Sequence, residues 1–177
     1  MALRLFRSPA KGPEAAARRL YEAAVAQARE PGFYQRLGVP DTVDGRFELL
    51  SLHVFLLLRR LKREGEAGAA VAQALVDLLF VNLDESLREM GAADLGVGKR
   101  VKRMASAFYG RIAAYEAGLA GAPEALAAAL GRNLYGTVAS SPAERQAAAA
   151  YLQRSVASLE AESVEGQGST FRLRFPV

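Results

Sequence analysis

An all-α, single-domain bundle of six to seven helices is the fold class this sequence predicts, and three features carry that prediction. Apolar residues recur at helical spacing through most of residues 13–165, Gly and Pro residues cut that stretch into pieces of helical length, and the piece at 47–61 is apolar nearly all round. A helix apolar on every side must be surrounded by others, so 47–61 is expected to be the hub. The one strand-like alternation, Phe171-Arg172-Leu173-Arg174-Phe175, has no second strand to pair with. The expected division is therefore a flexible basic leader (1–12), a helical domain (13–165) and a short extended C-terminal tail (166–177).

Taken in order, Pro13 and Glu14 open a first helix to about Glu30, with Leu20, Ala24 and Ala28 on one face, and Pro31-Gly32 stops it. Phe33, Tyr34 and Leu37 suggest a short helical turn. Asp44 is the expected N-cap of the central helix, which should run to about Arg63, where cations face the negative end of the helix dipole, before a break at Gly65. A helix from about Glu66 places Val76, Leu79, Phe80, Leu83, Leu87 and Met90 on an apolar face and stops at Gly91. The glycines of Gly96-Val97-Gly98 predict an elbow, and the basic helix after it, to about Leu119, buries Val101, Met104, Phe108, Ile112 and Tyr115. Pro123 and Pro142 precede two more helices, the first with Leu126, Leu130 and Leu134 on one face, the second with Tyr151, Leu152, Val156 and Leu159.

Composition narrows the function. The 177 residues are 51% hydrophobic and 24% charged, enough apolar material for one sizeable core. With no cysteine and one histidine, disulfides, thiolate metal sites and cysteine nucleophiles are excluded. The net charge of +4 is a small excess, 23 basic against 19 acidic residues, that permits an anionic partner without requiring one. Residues 1–12 lack the apolar segment and cleavage site of a secretory signal, and the apolar run 49–58 would span about 15 Å as a helix against a hydrocarbon core of about 30 Å. The expected location is cytoplasmic, at most peripheral to the inner membrane.

Signatures of covalent chemistry were sought and do not hold. Gly96-Val97-Gly98-Lys99 has part of a phosphate loop, but Ala93 stands where the first glycine belongs, Arg100 follows the lysine, and no strand precedes it. Asp77, Asp84, Glu85 and Glu89 share a helix with Arg88 and mark no pocket. His53, inside the central helix with no second histidine, reads as a hydrogen-bonded core residue. No enzyme activity, cofactor, metal or small-molecule substrate is therefore expected.

What remains is a surface. The outer face of the helix before the elbow mixes Leu78 and Val81 with Asp84, Glu85 and Arg88, while the helix after it carries Lys99, Lys102 and Arg103 with no carboxylate between them. This pair of helices of opposite polarity is the expected docking surface for another macromolecule. A nucleic-acid or ribosome-binding helical module is the alternative, since Lys99, Lys102, Arg103 and Ser106 share a face suited to phosphate contacts.

Three segments in order, Asp44-Gly45-Arg46-Phe47-Glu48-Leu49-Leu50-Ser51-Leu52-His53, Asp84-Glu85-Ser86-Leu87-Arg88-Glu89-Met90-Gly91 and Gly96-Val97-Gly98-Lys99-Arg100-Val101-Lys102, resemble the ubiquinol cytochrome c chaperone family. The resemblance implies a mainly helical, non-catalytic assembly factor, a bacterial member that binds newly made cytochrome b and helps it into the ubiquinol cytochrome c reductase (cytochrome bc) complex. Mitochondrial members of the family also associate with a small partner subunit and the ribosome, which makes the ribosome a further partner to test, and Leu3, Leu5 and Phe6 interleaved with Arg4 and Arg7 in the leader add the inner-membrane surface. The client-binding residues expected on this reading are Leu78, Val81, Asp84, Glu85 and Arg88 on one side and Lys99, Lys102, Arg103 and Tyr109 on the other, with Arg46 and Glu48 holding the entry to the central helix.

Overall fold

Apolar side chains on every side of one helix dictate the architecture. In a computed structural model, which describes residues 12–89 and 94–161, helix α3 (Val43–Leu61) is buried around its circumference by α1 (Gly12–Ala28), α4 (Gly65–Glu89), α5 (Asp94–Ala120) and α7 (Pro142–Ala161). The short α2 (Pro31–Gln35) and α6 (Pro123–Asn133) complete seven α-helices among the described residues, and no strand occurs there. The all-α bundle and its central helix are as expected. The leader at 1–11, the tail at 166–177, and Met90 and Gly91 lie outside the described residues.

Leu49, Leu52, Val54, Phe55, Leu56 and Leu57 of α3 are all at most 2% exposed, and each such side chain contributes about 1.5–3 kcal/mol by leaving water. Ala16, Ala17, Leu20, Ala24 and Ala28 form the inner face of α1, small enough to bring it close to α3 and α4. Leu126, Leu130 and Leu134 do the same for α6 against α5 and α7.

Local chemistry sets the helix ends. Thr42, not Asp44, caps α3: its hydroxyl accepts from the Gly45 backbone N–H at 3.1 Å, while Asp44 already lies in the first turn. Both residue types make good caps, and the extended backbone at Thr42 decides between them. At α7 the Ser141 hydroxyl accepts from the Glu144 N–H (3.2 Å) and Glu144 accepts in return from the Ser141 N–H (2.7 Å), a reciprocal capping box. After α3 a 3₁₀ turn (Lys62–Glu64) leads to Gly65, whose φ of 61° breaks the helix.

The elbow at Gly96–Gly98 is not a turn. Helix α5 begins at Asp94 and carries both glycines in its first turns. Glycine lowers helix propensity by about 1 kcal/mol without forbidding helix, and the long basic segment that follows carries the first turn with it.

The polar groups on α3 are met from its neighbours. His53 is fully buried; its Nδ1–H donates to the Leu49 carbonyl at 2.7 Å, and its Nε2 accepts from the Tyr151 hydroxyl of α7 at 2.8 Å. Phe33 of α2 stands edge-on to both rings, with centroids 5.3 and 5.0 Å away. Tyr135, after α6, donates to the Leu37 carbonyl at 2.5 Å and so ties the α2 loop to the far side of the bundle.

Two predictions follow from this packing. A Cβ at position 45 would sit 1.9 Å from the Pro40 carbonyl oxygen, so Gly45→Ala should cost about 1–3 kcal/mol, read as a lowered Tm. Burial pulls the His53 pKa from 6.5 down to about 4. A depressed folded-state pKa means stability that is complete above pH 6.5 and is lost as pH falls toward 4, by up to about 3 kcal/mol from this group alone. Urea unfolding of wild type and His53→Gln between pH 7 and pH 4 should show that slope only in wild type, and equal slopes would exclude His53 as its source.

Candidate functional site

The α4–α5 pair presents two surfaces where one was expected. Successive residues turn about 100° around a helix, which puts Lys102, Ser106 and Tyr109 on one stripe of α5 and Arg100, Arg103, Ala107 and Arg111 on another, roughly opposite. The two stripes face different parts of the protein.

The first surface is a ridge. Val81 is 53% exposed and Tyr109 is 55% exposed, and the Tyr109 ring rests against Phe80, Val81's chain neighbour, with centroids 6.5 Å apart. Phe80 in turn meets the fully buried Phe108 edge-on at 5.9 Å, so the exposed tyrosine is backed by core. Leu78 is half-buried, Glu85 and Arg88 are exposed, and Arg88 donates to Asp84 at 2.6 Å. Lys99 and Lys102 are exposed on α5.

The helical run Val43–Glu89 passes a length-and-composition test for a membrane span, through an 18-residue window holding no more than two charges. Among the described residues only α4 contains such a stretch, and just 28% of it is buried. Because the chain breaks at Gly65 and α4 packs back against α3, the run is two helices of the bundle. Its significance lies in the amount of apolar α4 surface left uncovered.

The second surface is a groove of about 670 Å³ between the start of α3, one face of α5 and the end of α6. Phe47, Leu87, Met104 and Leu134 line it with apolar surface, and Arg100, Arg103, Arg111 and Arg132 bring charge to it. Arg103 therefore parts company with Lys102 and Tyr109, with which the sequence grouped it. The sequence reading did not select Val43, Phe47, Arg100 or Arg132 as site residues; it assigned Leu87 and Met104 to the core, and Leu87 is buried there while Met104 is only partly covered. Their spacing is that of core residues, and only the separation of α3 from α6 at this end opens the floor.

One wall of the groove is held by a buried ion pair. Glu48 accepts from the Nε and Nη2 of Arg111, whose guanidinium also lies over the Phe47 ring, 5.5 Å from its centroid. Burial outweighs the guanidinium and pushes the Glu48 carboxyl above its ordinary pKa, so taking the carboxylate out of water offsets the attraction within the pair. Nearby, the Tyr115 phenol is raised by burial and by the Glu48 carboxylate. Arg46 turns outward and donates to Asp41 at 2.7 Å, fixing the loop before α3. Among the described residues no three histidine, aspartate or glutamate side chains converge to hold a metal ion.

With this geometry in place, the family model described as ubiquinol-cytochrome C chaperone matches residues 35–166, a stretch that contains the hub helix, the ridge and the groove. The chain belongs to that family. Among solved structures, the crystal structure of the Cbp3 homolog from Brucella abortus superposes with a TM-score of 0.76 and 45% sequence identity, covering 85% of this chain and 83% of that one. Ubiquinol-cytochrome-c reductase complex assembly factor 1 of Xenopus laevis is 28% identical over 82% of this chain and 72% of its own length. The Mus musculus and Homo sapiens proteins of that name are each 27% identical over 85% of this chain, which spans 51% and 50% of their lengths. The part of the chain that its family model spans runs from the end of α2 through α7.

The Glu48–Arg111 pair yields a prediction. Glu48→Gln or Arg111→Met alone leaves a charge without its partner and should cost about 3–5 kcal/mol. The double variant Glu48→Gln/Arg111→Met should recover much of that loss. Thermal denaturation of the three variants gives the comparison, and additive losses would show that the two side chains do not act as a pair.

Proposed function

We propose that this chain is a non-catalytic assembly chaperone of the ubiquinol-cytochrome c reductase complex that holds newly made cytochrome b through the α4–α5 ridge, working from the cytoplasmic side of the membrane. The observation that carries the reading is the apolar ridge of an assembly-factor family member. Val81 and Tyr109 stand more than half exposed, amid charges of both signs, on a chain whose family is that of a ubiquinol-cytochrome C chaperone.

The chemistry suits the task. A membrane protein awaiting its partners exposes apolar helices joined by charged loops, and its danger is aggregation. A ridge mixing Leu78, Val81 and Tyr109 with Asp84, Glu85, Arg88, Lys99 and Lys102 offers both kinds of contact, spread over a surface that lets go when a better-fitting subunit arrives. His53, the single histidine of the sequence, is sealed in the core with both ring nitrogens hydrogen-bonded, so it serves packing rather than proton transfer. Holding needs no reacting group.

Photo-crosslinking from position 81 to cytochrome b during its synthesis tests the reading. The charge-reversal pair Lys99→Glu and Lys102→Glu, and separately Tyr109→Ser, should each lower the crosslink about tenfold, the scale of losing one well-placed interface anchor. Tm should hold, because these side chains are exposed. Undiminished crosslinking in the folded variants would remove the ridge as the client surface.

A further inference from the structure

We infer that the groove between α3, α5 and α6 is a second docking site, one that takes an acidic amphipathic segment of a partner protein. This goes beyond the cytochrome b reading and does not depend on it, since the groove and the ridge use opposite stripes of α5.

Charge is the first argument. Arg111 is neutralised by Glu48, but no ion-pair partner among the described residues meets Arg100, Arg103 or Arg132. Elsewhere on the bundle Arg46 pairs with Asp41, Arg88 with Asp84 and the partly buried Arg59 with Glu116, while Arg18, Arg29, Arg36 and Arg154, which have no such pair among the described residues, do not line this groove. These three guanidinium groups, from two helices, converge on one concavity, where Asp44 is the one carboxylate besides Glu48 among the described residues. Guanidinium groups form forked hydrogen bonds to carboxylates, and their hold strengthens where a neighbouring apolar surface excludes water.

Shape is the second argument. Beneath the arginines the partly exposed Met104, backed by the buried Phe47 and Leu87, makes an apolar floor that a free anion or a nucleic-acid backbone would leave unused. At the edge Val43 is 59% exposed, and Val138, next to the lining residue Thr137, is 44% exposed. Apolar floor, apolar edge and unpaired cations together match a segment with apolar residues on one face and carboxylates beside them. A bilayer meets a protein as a broad flat surface, and this site is concave.

The test uses the intact chain and two synthetic amphipathic helices of about 18 residues, long enough to hold helical structure. One is built of leucine, alanine and glutamate, and the other has each glutamate replaced by lysine. Fluorescence anisotropy should show the glutamate helix binding at least about tenfold more tightly than the lysine helix, and a photo-crosslinker at Thr137 should capture the glutamate helix. Arg100→Glu/Arg103→Glu/Arg132→Glu should invert the preference. The triple glutamine variant should abolish the preference without inverting it, which covers the case in which charge reversal impairs folding. The inference is overturned if neither peptide binds, if the two bind equally, or if the glutamate helix still binds the reversed variant. It is equally overturned if an RNA oligonucleotide or vesicles containing phosphatidylglycerol displace the glutamate helix and take the Thr137 crosslink themselves. Cytochrome b is absent from the assay, so its outcome is separate from that of the ridge experiment.

Discussion

The structure depends on taking one helix out of water along its whole circumference. Helix α3 has no solvated side over its middle turns, so the other helices must be arranged around it. Its few polar side chains must also be met by neighbours at fixed places, and each such requirement sets a register. His53 needs Tyr151 and thereby fixes α7; Glu48 needs Arg111 and thereby fixes α5. An apolar helix alone would tolerate rotation of its neighbours, whereas these polar contacts have one geometry each. The unsealed turns at the start of α3 form a wall of the groove.

The bundle was legible because its signals are local and repeated. The spacing of Leu20, Ala24 and Ala28, or of Leu126, Leu130 and Leu134, assigns a buried face without knowledge of what lies opposite, and those residues are buried. His53 was legible as a core residue because one histidine in an apolar helix has little else to do. The Thr42 cap was missed because Thr and Asp two positions apart are equivalent in sequence and differ only in backbone conformation. The glycines at 96 and 98 predicted a turn because propensity was weighed without the long helix into which they run.

The site was harder to read, for a geometric reason. Lys99, Lys102 and Arg103 are neighbours in sequence and share a sign, yet a single residue step swings a side chain through about a quarter-turn and more. Arg103 thus joins Arg132, which lies in a different helix and could not be grouped with it by inspection of a linear pattern. Leu87 and Met104 both have the periodicity of core, and Leu87 is buried as that predicts, whereas Met104 is only partly covered and floors the groove. Leu78 and Val81, by contrast, stood out as apolar residues among charges, and Val81 is exposed while Leu78 is half-buried.

Arg111 has a consequence for how a ligand would enter the groove. By gripping Glu48 and stacking on Phe47, it bolts the first turns of α3 to α5, so two of the three walls move as one body. A binding cleft whose walls are already joined loses little conformational entropy when it fills, and its occupant must accept the width it finds. Adjustment is left to the third wall, the end of α6 and the turn at 134–137. Selectivity among similar sequences would then be decided by rigid fit on one side and by accommodation on the other.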